Sequence, residues 1–335
     1  MRHYTHLTIE EREKILVMNE AGRSQNSIAR ELGRDKSSIS RELNRNTPEG
    51  GGYSAVKAQE MYRKRRNICV RKKVLHIKEV FEKVARLFFE EQWSPEQISE
   101  RLKLENSKFR ISYNTIYRAI YSGMFNTLEL RLKYMFNKAH RKLRHRGKRR
   151  KKDNTEETRG KFKVINTIHE RPDEAEYRME KGHWEQDTVV GKKVGARLAT
   201  ATDRMSRYLL LNKTASGKKE DVANAIIDMF SPIPIEYIKS FIPDQGKEFA
   251  DYPIISKALN DVPFYFADPG SPWQRGLNEN TNGLVREYFP KSFDFNNVSD
   301  AQIKEVEEKI NKRPRKCLNW FSPYEIFHGV LLHLT

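Results

Sequence analysis

The sequence predicts a multidomain protein in which an all-α N-terminal region precedes an α/β domain whose mixed sheet is flanked by helices. Apolar residues recur at helical spacing through the first 140 residues, whereas short apolar strands alternate with helical segments after about residue 165. A chain of 335 residues is also long enough for two or three hydrophobic cores. We therefore expect successive domains at 1–50, 51–140 and 166–335, with a linker at 141–165.

The charge of the chain predicts a polyanionic partner. The formal net charge is +18, and neutralising phosphates with Lys and Arg releases counterions that drive binding. An anionic membrane is the competing partner, but no apolar run approaches the length of a spanning helix. Double-stranded DNA or another nucleic acid is therefore the expected partner, and no membrane is expected.

The N-terminus and the cysteines predict a cytoplasmic protein. The first residues, Met1 to Tyr4, do not open a signal peptide. The two cysteines, Cys69 and Cys317, lie far apart and neither belongs to a cluster with zinc-finger spacing. We expect a reducing compartment and no structural zinc.

Residues 7–46 carry the pattern of a helix-turn-helix unit. Thr8, Ser24 and Asp35 can each cap a helix, and Gly33 allows a tight turn before the third one. Short polar groups near the start of a helix can meet base edges in the major groove, and Arg and Asn can reach bases or phosphates. The outward face of the third helix holds Lys36, Ser37, Ser40, Arg41, Asn44 and Arg45. This face predicts a recognition helix, and a helical hairpin with a solvated polar face is the alternative.

The pattern returns between residues 93 and 120. Ser94 followed by Pro95 is a strong helix start, and Ser112 can cap a second helix whose Ile116 and Ile120 face inward. The outward positions of that helix are Asn114, Thr115 and Arg118. A second helix-turn-helix unit would extend the length of DNA that is read.

A basic stretch separates these helices from the α/β region. Nine of the twelve residues from Arg141 to Lys152 are Lys or Arg, and apolar periodicity is absent. This composition predicts a linker that follows the phosphate backbone without base specificity, and a solvated charge run is the alternative.

After residue 165 the sequence predicts strands and helices in alternation. Apolar and polar residues alternate over 182–190, and two further strands follow within 198–211. Later elements are predicted as a helix at 219–230, a strand at 237–242, a helix at 250–259, a strand at 262–266 and a last helix from about residue 273. This order favours a mixed sheet with helices on both sides.

Three acids fall at positions where this topology could bring them together. Asp187 lies within the first strand, Asp244 just past the end of a central strand, and Glu279 on the last helix. Three carboxylates repel one another unless cations lie between them, and carboxylate oxygens are the ligands that Mg²⁺ and Mn²⁺ prefer. We therefore expect two such ions, about 3.5 to 4 Å apart, as in two-metal phosphoryl-transfer sites. Taken singly, each acid could be a surface group or a helix cap.

Several stretches carry a resemblance to a known family. They are GHWEQDTVVG (182–191), DQGKEFAD (244–251), FADPGSPWQRGLNENTNGLVREYFPK (266–291), NKRPRKCLNW (311–320) and SIARELGRDKSSISREL (27–43). With these motifs the chain resembles DDE transposases of bacterial insertion sequences, specifically the insertion-sequence-thirty family, which is related to retroviral integrases. The resemblance implies a ribonuclease-H-like catalytic domain in which Asp187, Asp244 and Glu279 bind the metal ions.

The same resemblance implies the reaction. The expected activity is binding of the terminal inverted repeats of the element by a homo-oligomer, a dimer or higher, followed by metal-dependent strand cleavage and transfer into target DNA. Such a protein would act in the bacterial cytoplasm, associated with the nucleoid. Arg275 is expected either to contact DNA or to support the site, and Glu185 either to assist a metal or to make a structural hydrogen bond.

Two other functions stay open on the sequence alone. A transcription regulator would use the α/β domain as a non-catalytic scaffold, although the presence of all three acids argues against it. A metal-dependent nuclease would cleave DNA without joining the ends.

Overall fold

The computed structural model describes residues 5–48, 50–69, 74–144, 166–192 and 195–335. The chain forms two compact units, residues 1–76 and 77–335. The first unit extends beyond the domain boundary expected after residue 50, because a helix that follows Tyr53 packs on the preceding helices. Most of the predicted basic linker, residues 145–165, lies outside the described residues. No helix within the described ranges is long and apolar enough to cross a membrane.

The first unit is a small helical domain. Its helices are α1 (Ile9–Glu20), α2 (Gln25–Glu31), α3 (Lys36–Asn46) and α4 (Ala55–Cys69). Thr8 caps α1 in a capping box with Glu11, and Ser24 caps α2, as predicted. Asp35 stands at the N-cap of α3 but makes no side-chain cap hydrogen bond. The helices pack around fully buried isoleucines, one from each of α1, α2 and α3, at positions 15, 28 and 39.

A buried polar network crosses this small core. Nε of Arg12 on α1 donates to Oε1 of Glu42 on α3 at 2.7 Å, and the hydroxyl of Tyr53 donates to the same oxygen at 3.2 Å. The second side of the guanidinium donates to Gln59 on α4 at 2.5 Å. Because a buried charge is tolerated only when it is paired and hydrogen-bonded, this network fixes how three of the helices pack together.

The second unit begins with four helices. They are α5 (Lys78–Phe89), α6 (Pro95–Leu104), α7 (Tyr113–Tyr121) and α8 (Leu128–Lys133). Ser94 caps α6 in a capping box with Gln97, and Ser112 caps α7. The predicted inward residues of α7, Ile116 and Ile120, are buried.

Arg101 of α6 ties these helices to the C-terminal segment of the unit. Its guanidinium donates to Oε1 and Oε2 of Glu325 at 2.7 and 2.8 Å and to Oε1 of Glu105 at 2.6 Å. Arg101 is 1% exposed, so both ion pairs are shielded from water. α6 is therefore held rigidly against the α/β part of the unit.

The α/β part contains a four-stranded mixed sheet. Its elements are α9 (Asp173–Glu176), β1 (His183–Val189), β2 (Arg197–Asp203), β3 (Leu209–Thr214), α10 (Lys219–Phe230), β4 (Ser240–Ile242), α11 (Tyr252–Ala258), α12 (Gly276–Tyr288), α13 (Asp300–Asn311) and α14 (Pro323–His328). The strand order is β3-β2-β1-β4, in which β1 runs antiparallel to β2 and parallel to β4. The predicted mixed sheet is confirmed.

Helices cover both faces of this sheet. Trp184 of β1 packs in one cluster with Phe230 of α10 and Ile255 of α11. Val189 of β1 belongs to a separate cluster with Leu284 of α12 and residues of α13. The polar-apolar alternation of β1 therefore places Asp187, which is two residues from Val189, on the side of the sheet that α12 covers.

The strand predicted at 262–266 is not formed. Within that stretch only Phe264 and Phe266 make isolated bridges, and Phe264 pairs with Phe241 of β4. β4 is three residues long and ends before Pro243, so it offers too short a ladder for a fifth strand. The segment packs against the sheet through its aromatic side chains.

Candidate active site and DNA-binding surface

Asp187 is held in place by the middle of the sheet and by α12. It pairs with Thr200 of β2 in the ladder, and its side chain is 25% exposed. Oδ1 accepts from the backbone N–H of Thr188 at 2.8 Å, and Oδ2 accepts from Nδ2 of Asn282 at 2.8 Å. The hydroxyl of Thr200 donates to Oδ1 of Asn282 at 3.2 Å, which fixes the amide orientation. The carboxylate is thus oriented from two elements.

Asp244 reaches the same edge of the sheet from β4. Parallel pairing aligns Glu185 of β1 with Ile242 of β4, so the chain emerges from β4 beside Asp187. Oδ1 of Asp244 accepts from the backbone N–H of Gly246 at 2.9 Å, which closes a tight turn directly after the strand. The prediction that Asp187 and Asp244 converge therefore holds in the structure.

Arg275 lies between the two aspartates. Its Nη2 is 3.3 Å from Oδ2 of Asp187 and its Nη1 is 3.5 Å from Oδ2 of Asp244. Arg275 is only 9% exposed, and its contacts match the supporting role expected from the sequence, while the DNA contact stays a prediction. The short 3₁₀ turn over 272–275 sets its direction, because it ends where α12 begins. One cation is thus shared by two carboxylates.

Negative charges on both Asp187 and Asp244 are unfavourable unless a cation lies near them. Burial raises the pKa of Asp187, Arg275 opposes that rise, and the neighbouring Asp244 and Glu248 add to it. The two aspartates therefore repel each other at close range, and a positive charge between them relieves the repulsion.

Glu279 is one helical turn beyond Arg275 on α12, and it is exposed. Positions four apart share a helix face, so Glu279 lies on the flank that carries Arg275. Within the described part of the chain, no three His, Cys, Asp or Glu side chains are grouped closely enough to hold a metal ion. The structure brings Asp187 and Asp244 together, whereas Glu279 does not complete a group of three acids with them among the described residues.

A fourth acid lies beside the aspartates and was missed from the sequence. Oε1 of Glu248 accepts from the hydroxyl of Thr188 at 3.2 Å, next to Asp187 in β1. A Cβ atom built on Gly246 would lie 2.6 Å from Oε2 of Glu248 and 2.8 Å from Oδ1 of Asp244. The two carboxylates therefore close around the bare Cα of Gly246. The signal was present in the sequence, because Glu248 lies four residues after Asp244 within the stretch DQGKEFAD.

Glu185 has a structural role. It is fully buried, forms an ion pair with Arg204 and accepts from the backbone N–H of Asn278 at 3.1 Å. A carboxylate with these partners anchors the first turn of α12 to β1. Of the two roles considered from the sequence, the structural hydrogen bond is the one observed.

The aspartate pair offers oxygen ligands of the kind that a cation binds. Asp187 and Asp244 present oxygens that already contact a common cationic group, the guanidinium of Arg275. Carboxylate oxygens are hard ligands of the kind that Mg²⁺ and Mn²⁺ prefer. The two aspartates are the residues that could hold such an ion, with Glu248 as a neighbouring acid, although no group of three acids among the described residues is close enough to hold a metal ion by itself.

The two predicted recognition surfaces are presented to solvent. On α3, five of the six predicted residues are exposed and Ser40 is half-buried; the exposed ones are Lys36, Ser37, Arg41, Asn44 and Arg45. On α7, Asn114 and Arg118 are exposed and Thr115 is half-buried. Both faces combine short polar groups with Arg, which is the composition that a major-groove contact requires.

Comparisons with known proteins agree with this arrangement. The family described as a helix-turn-helix domain matches residues 3–46. The transposase for insertion sequence element IS1086 of Cupriavidus metallidurans is 34% identical, and the match covers 99% of this chain and 97% of that protein. Transposase InsI for insertion sequence element IS30A of Escherichia coli is 37% identical, with 99% and 86% covered.

One solved structure resembles part of the chain. The catalytic core domain of BIV integrase has 17% identity and a TM-score of 0.35, over 45% of this chain and 95% of that one. The motifs, the helix-turn-helix domain and full-length relatives at these identities together show that the chain belongs to the insertion-sequence-thirty family of transposases.

Proposed function

We propose that this protein is a DNA transposase that binds the terminal inverted repeats of its own element and performs metal-dependent strand cleavage and strand transfer. The observation that carries the proposal is the sharing of one cation by Asp187 and Asp244 at the edge of the sheet. Arg101 also bonds two carboxylates, but those side chains are 7% and 1% exposed, whereas the side chains of Asp187 and Asp244 are 25% and 30% exposed and can be reached by a dissolved ion. Two accessible carboxylates that converge at one edge of the sheet are the arrangement of a cation-binding site.

The catalytic residues that we propose are Asp187, Asp244 and Glu279, with Mg²⁺ or Mn²⁺ as the cofactor, two ions in all. Bound ions would activate the attacking water or 3′-hydroxyl and stabilise the departing oxygen. Asn282 and the N–H of Gly246 hold the two aspartates in fixed orientations, which removes the need to reorganise them during the reaction. Arg275 offsets one of the two negative charges of the pair, and bound ions would take over that role.

DNA recognition is assigned to the helix-turn-helix surfaces. α3 would read one part of the repeat through its exposed polar face, and α7 would read another part through Asn114, Thr115 and Arg118. An element has two ends that must be joined to the same target. We therefore propose that the active form is a homo-oligomer, a dimer or higher, which light scattering of the protein with repeat duplexes would test.

The decisive experiment compares cutting with binding. Asp187→Asn, Asp244→Asn and Glu279→Gln are each tested for Mg²⁺-dependent nicking of a labelled duplex that carries the inverted repeat, and for binding of the same duplex. We expect cleavage to fall by at least about a hundredfold while binding is retained. Asp300→Asn, which changes an acid whose side chain is 84% exposed, is the matched control and should cut at the full rate.

The outcomes separate the competing functions. A regulator would bind the repeat and never nick it, whereas a nuclease would nick without joining the labelled end to a target plasmid. Glu248→Gln is run beside Glu279→Gln because Glu248 is the acid nearest the aspartates. If Glu248→Gln abolishes cleavage and Glu279→Gln leaves it intact, Glu279 is not the third acid.

A further inference from the structure

A cavity of about 220 Å³ lies on one flank of α12. Three arginines line it: Arg178, Arg207 and Arg315. No Asp or Glu belongs to its lining among the residues that the structure describes. This volume is several times the roughly 30 Å³ that one water occupies in the liquid, so the cavity has room for a polyatomic group.

The acids that act on these arginines lie outside the cavity lining, since Glu185 raises the pKa of Arg207 and Glu287 raises that of Arg315 but neither lines the cavity. Burial, and then the charge of Arg178, lower the pKa of Arg207. Burial, and then the charge of Arg313, lower the pKa of Arg315 to about 9. Nε of Arg207 is buried and has no hydrogen-bond partner within the described structure. A guanidinium kept in such surroundings is stabilised when an anion comes near it.

The backbone at two of the arginines is also in an unusual conformation. Arg178 and Arg207 have φ angles of 59° and 65°, in the left-handed region that non-glycine residues rarely adopt. Such conformations persist where the surrounding structure enforces them and are concentrated at ligand sites. Both side chains are delivered to the cavity from these positions.

The lining suits an oxyanion such as a phosphate group. A planar guanidinium can donate two parallel N–H bonds to phosphate oxygens. The first turn of α12, a helix of 13 residues, also lines the cavity through Gly276 and Leu277 and adds the positive end of the helix dipole. A Cβ atom at Gly276 would meet nothing within 4 Å, so an oxygen atom can approach the backbone there.

The position of the cavity relates it to the aspartate pair. Gly276, Asn280 and Leu284 line the cavity and recur at helical spacing on one flank of α12. Arg275 and Asn282, on the opposite flank, contact Asp187. An α-helix with its side chains is about 10–12 Å across, which a single DNA strand spans in about three nucleotides at 3.4 Å each.

We propose that this arginine cavity binds a phosphodiester group of the DNA strand that is engaged at the Asp187–Asp244 pair. The proposal rests on the proposed function, because it takes the same DNA as its ligand. The cavity holds one backbone phosphate, and α12 separates that phosphate from the reacting one. Strand register at the aspartates is thereby set by a contact that carries no base specificity.

The test uses the full-length protein and duplexes of the inverted repeat in which one phosphate at a time is replaced by a neutral methylphosphonate. Binding is measured for wild type, for Arg207→Gln and for Arg315→Gln. Arg131→Gln, which removes an exposed arginine of α8, is the charge-matched control. We expect one phosphate position at which the methylphosphonate weakens DNA binding by the wild type. At that position it should not weaken DNA binding by Arg207→Gln any further.

Salt dependence gives a second readout. Loss of one phosphate contact should reduce the slope of log K against log salt concentration by about 0.9 for Arg207→Gln. Arg207→Lys keeps the charge and should restore the slope while losing the paired hydrogen bonds. Thermal unfolding checks folding, and we expect no loss of melting temperature because the removed charge is repelled by its neighbours.

The proposal is overturned if no phosphate position couples to Arg207 or Arg315, or if Arg131→Gln couples equally well. It is also overturned if inorganic phosphate raises the melting temperature of the wild type but not of Arg207→Gln, while no phosphate of the DNA couples to Arg207. The cavity is then a site for free anions. Mg²⁺-dependent cutting by the wild type is measured separately. A protein that couples at one phosphate but never cuts refutes the proposed reaction and leaves the phosphate site standing.

Discussion

Replacing Arg101 by Met should destabilise the second unit more than any change on its surface. Arg101 is 1% exposed and bonds two carboxylates, Glu105 and Glu325, that are themselves shielded from water. Removing one partner of a buried pair costs about 3–5 kcal/mol, because the remaining charge stays buried without compensation. Glu325 would still accept from the backbone N–H of Ser322 and Leu332, so we expect the lower end, about 3 kcal/mol.

The assay is thermal unfolding of the full chain. For a unit that spans residues 77–335, a loss of 3 kcal/mol corresponds to a fall in melting temperature of about 6 °C. Lys103→Met, on the same helix with its side chain 70% exposed, is the control and should shift the free energy by less than about 0.5 kcal/mol. Adding Glu325→Gln to Arg101→Met should recover part of the loss. If Arg101→Met and Lys103→Met melt at the same temperature, or if the double variant melts below Arg101→Met, the buried ion pair does not stabilise the unit.

Three further predictions follow from other contacts. Burial raises the pKa of Glu105 and Glu325, but their hydrogen bonds and ion pairs outweigh it and lower the folded-state pKa below 4.5. The two acids therefore contribute to the free energy of unfolding above pH 4.5, and this contribution is lost as pH falls through their folded-state pKa values. Urea midpoints should therefore drop as pH falls below 4.5, and less so in Arg101→Met, whereas a parallel drop would contradict this. Gly246→Ala forces a methyl group between two carboxylates and should slow nicking about a hundredfold with repeat binding intact; nicking at the full rate would refute the geometry. Glu42→Gln leaves the buried guanidinium of α1 with a neutral partner, so amide exchange in α1 and α3 should quicken about tenfold, and unchanged exchange would exclude the network as their support.

The sequence predicted the elements whose cause is local. Thr8, Ser24 and Ser112 cap the predicted helices because a side-chain oxygen reaches an N–H only two or three residues away. The strand over 182–190 and the helix over 219–230 were predicted because their apolar spacing is that of the structure they form. The positions of Asp187 and Asp244 follow from those elements.

Only the tertiary structure determined which charges meet. Arg275 between the aspartates, Glu248 against Thr188 and Arg101 against Glu325 depend on side-chain directions and on partners tens or hundreds of residues apart. Hydrophobic spacing carries no information about such pairs, because ionic contacts are selected by three-dimensional proximity and burial. The strand expected at 262–266 is absent because a strand needs a partner to pair with, and β4 ends after three residues. Local chemistry thus specified the elements, and packing specified how their charges combine.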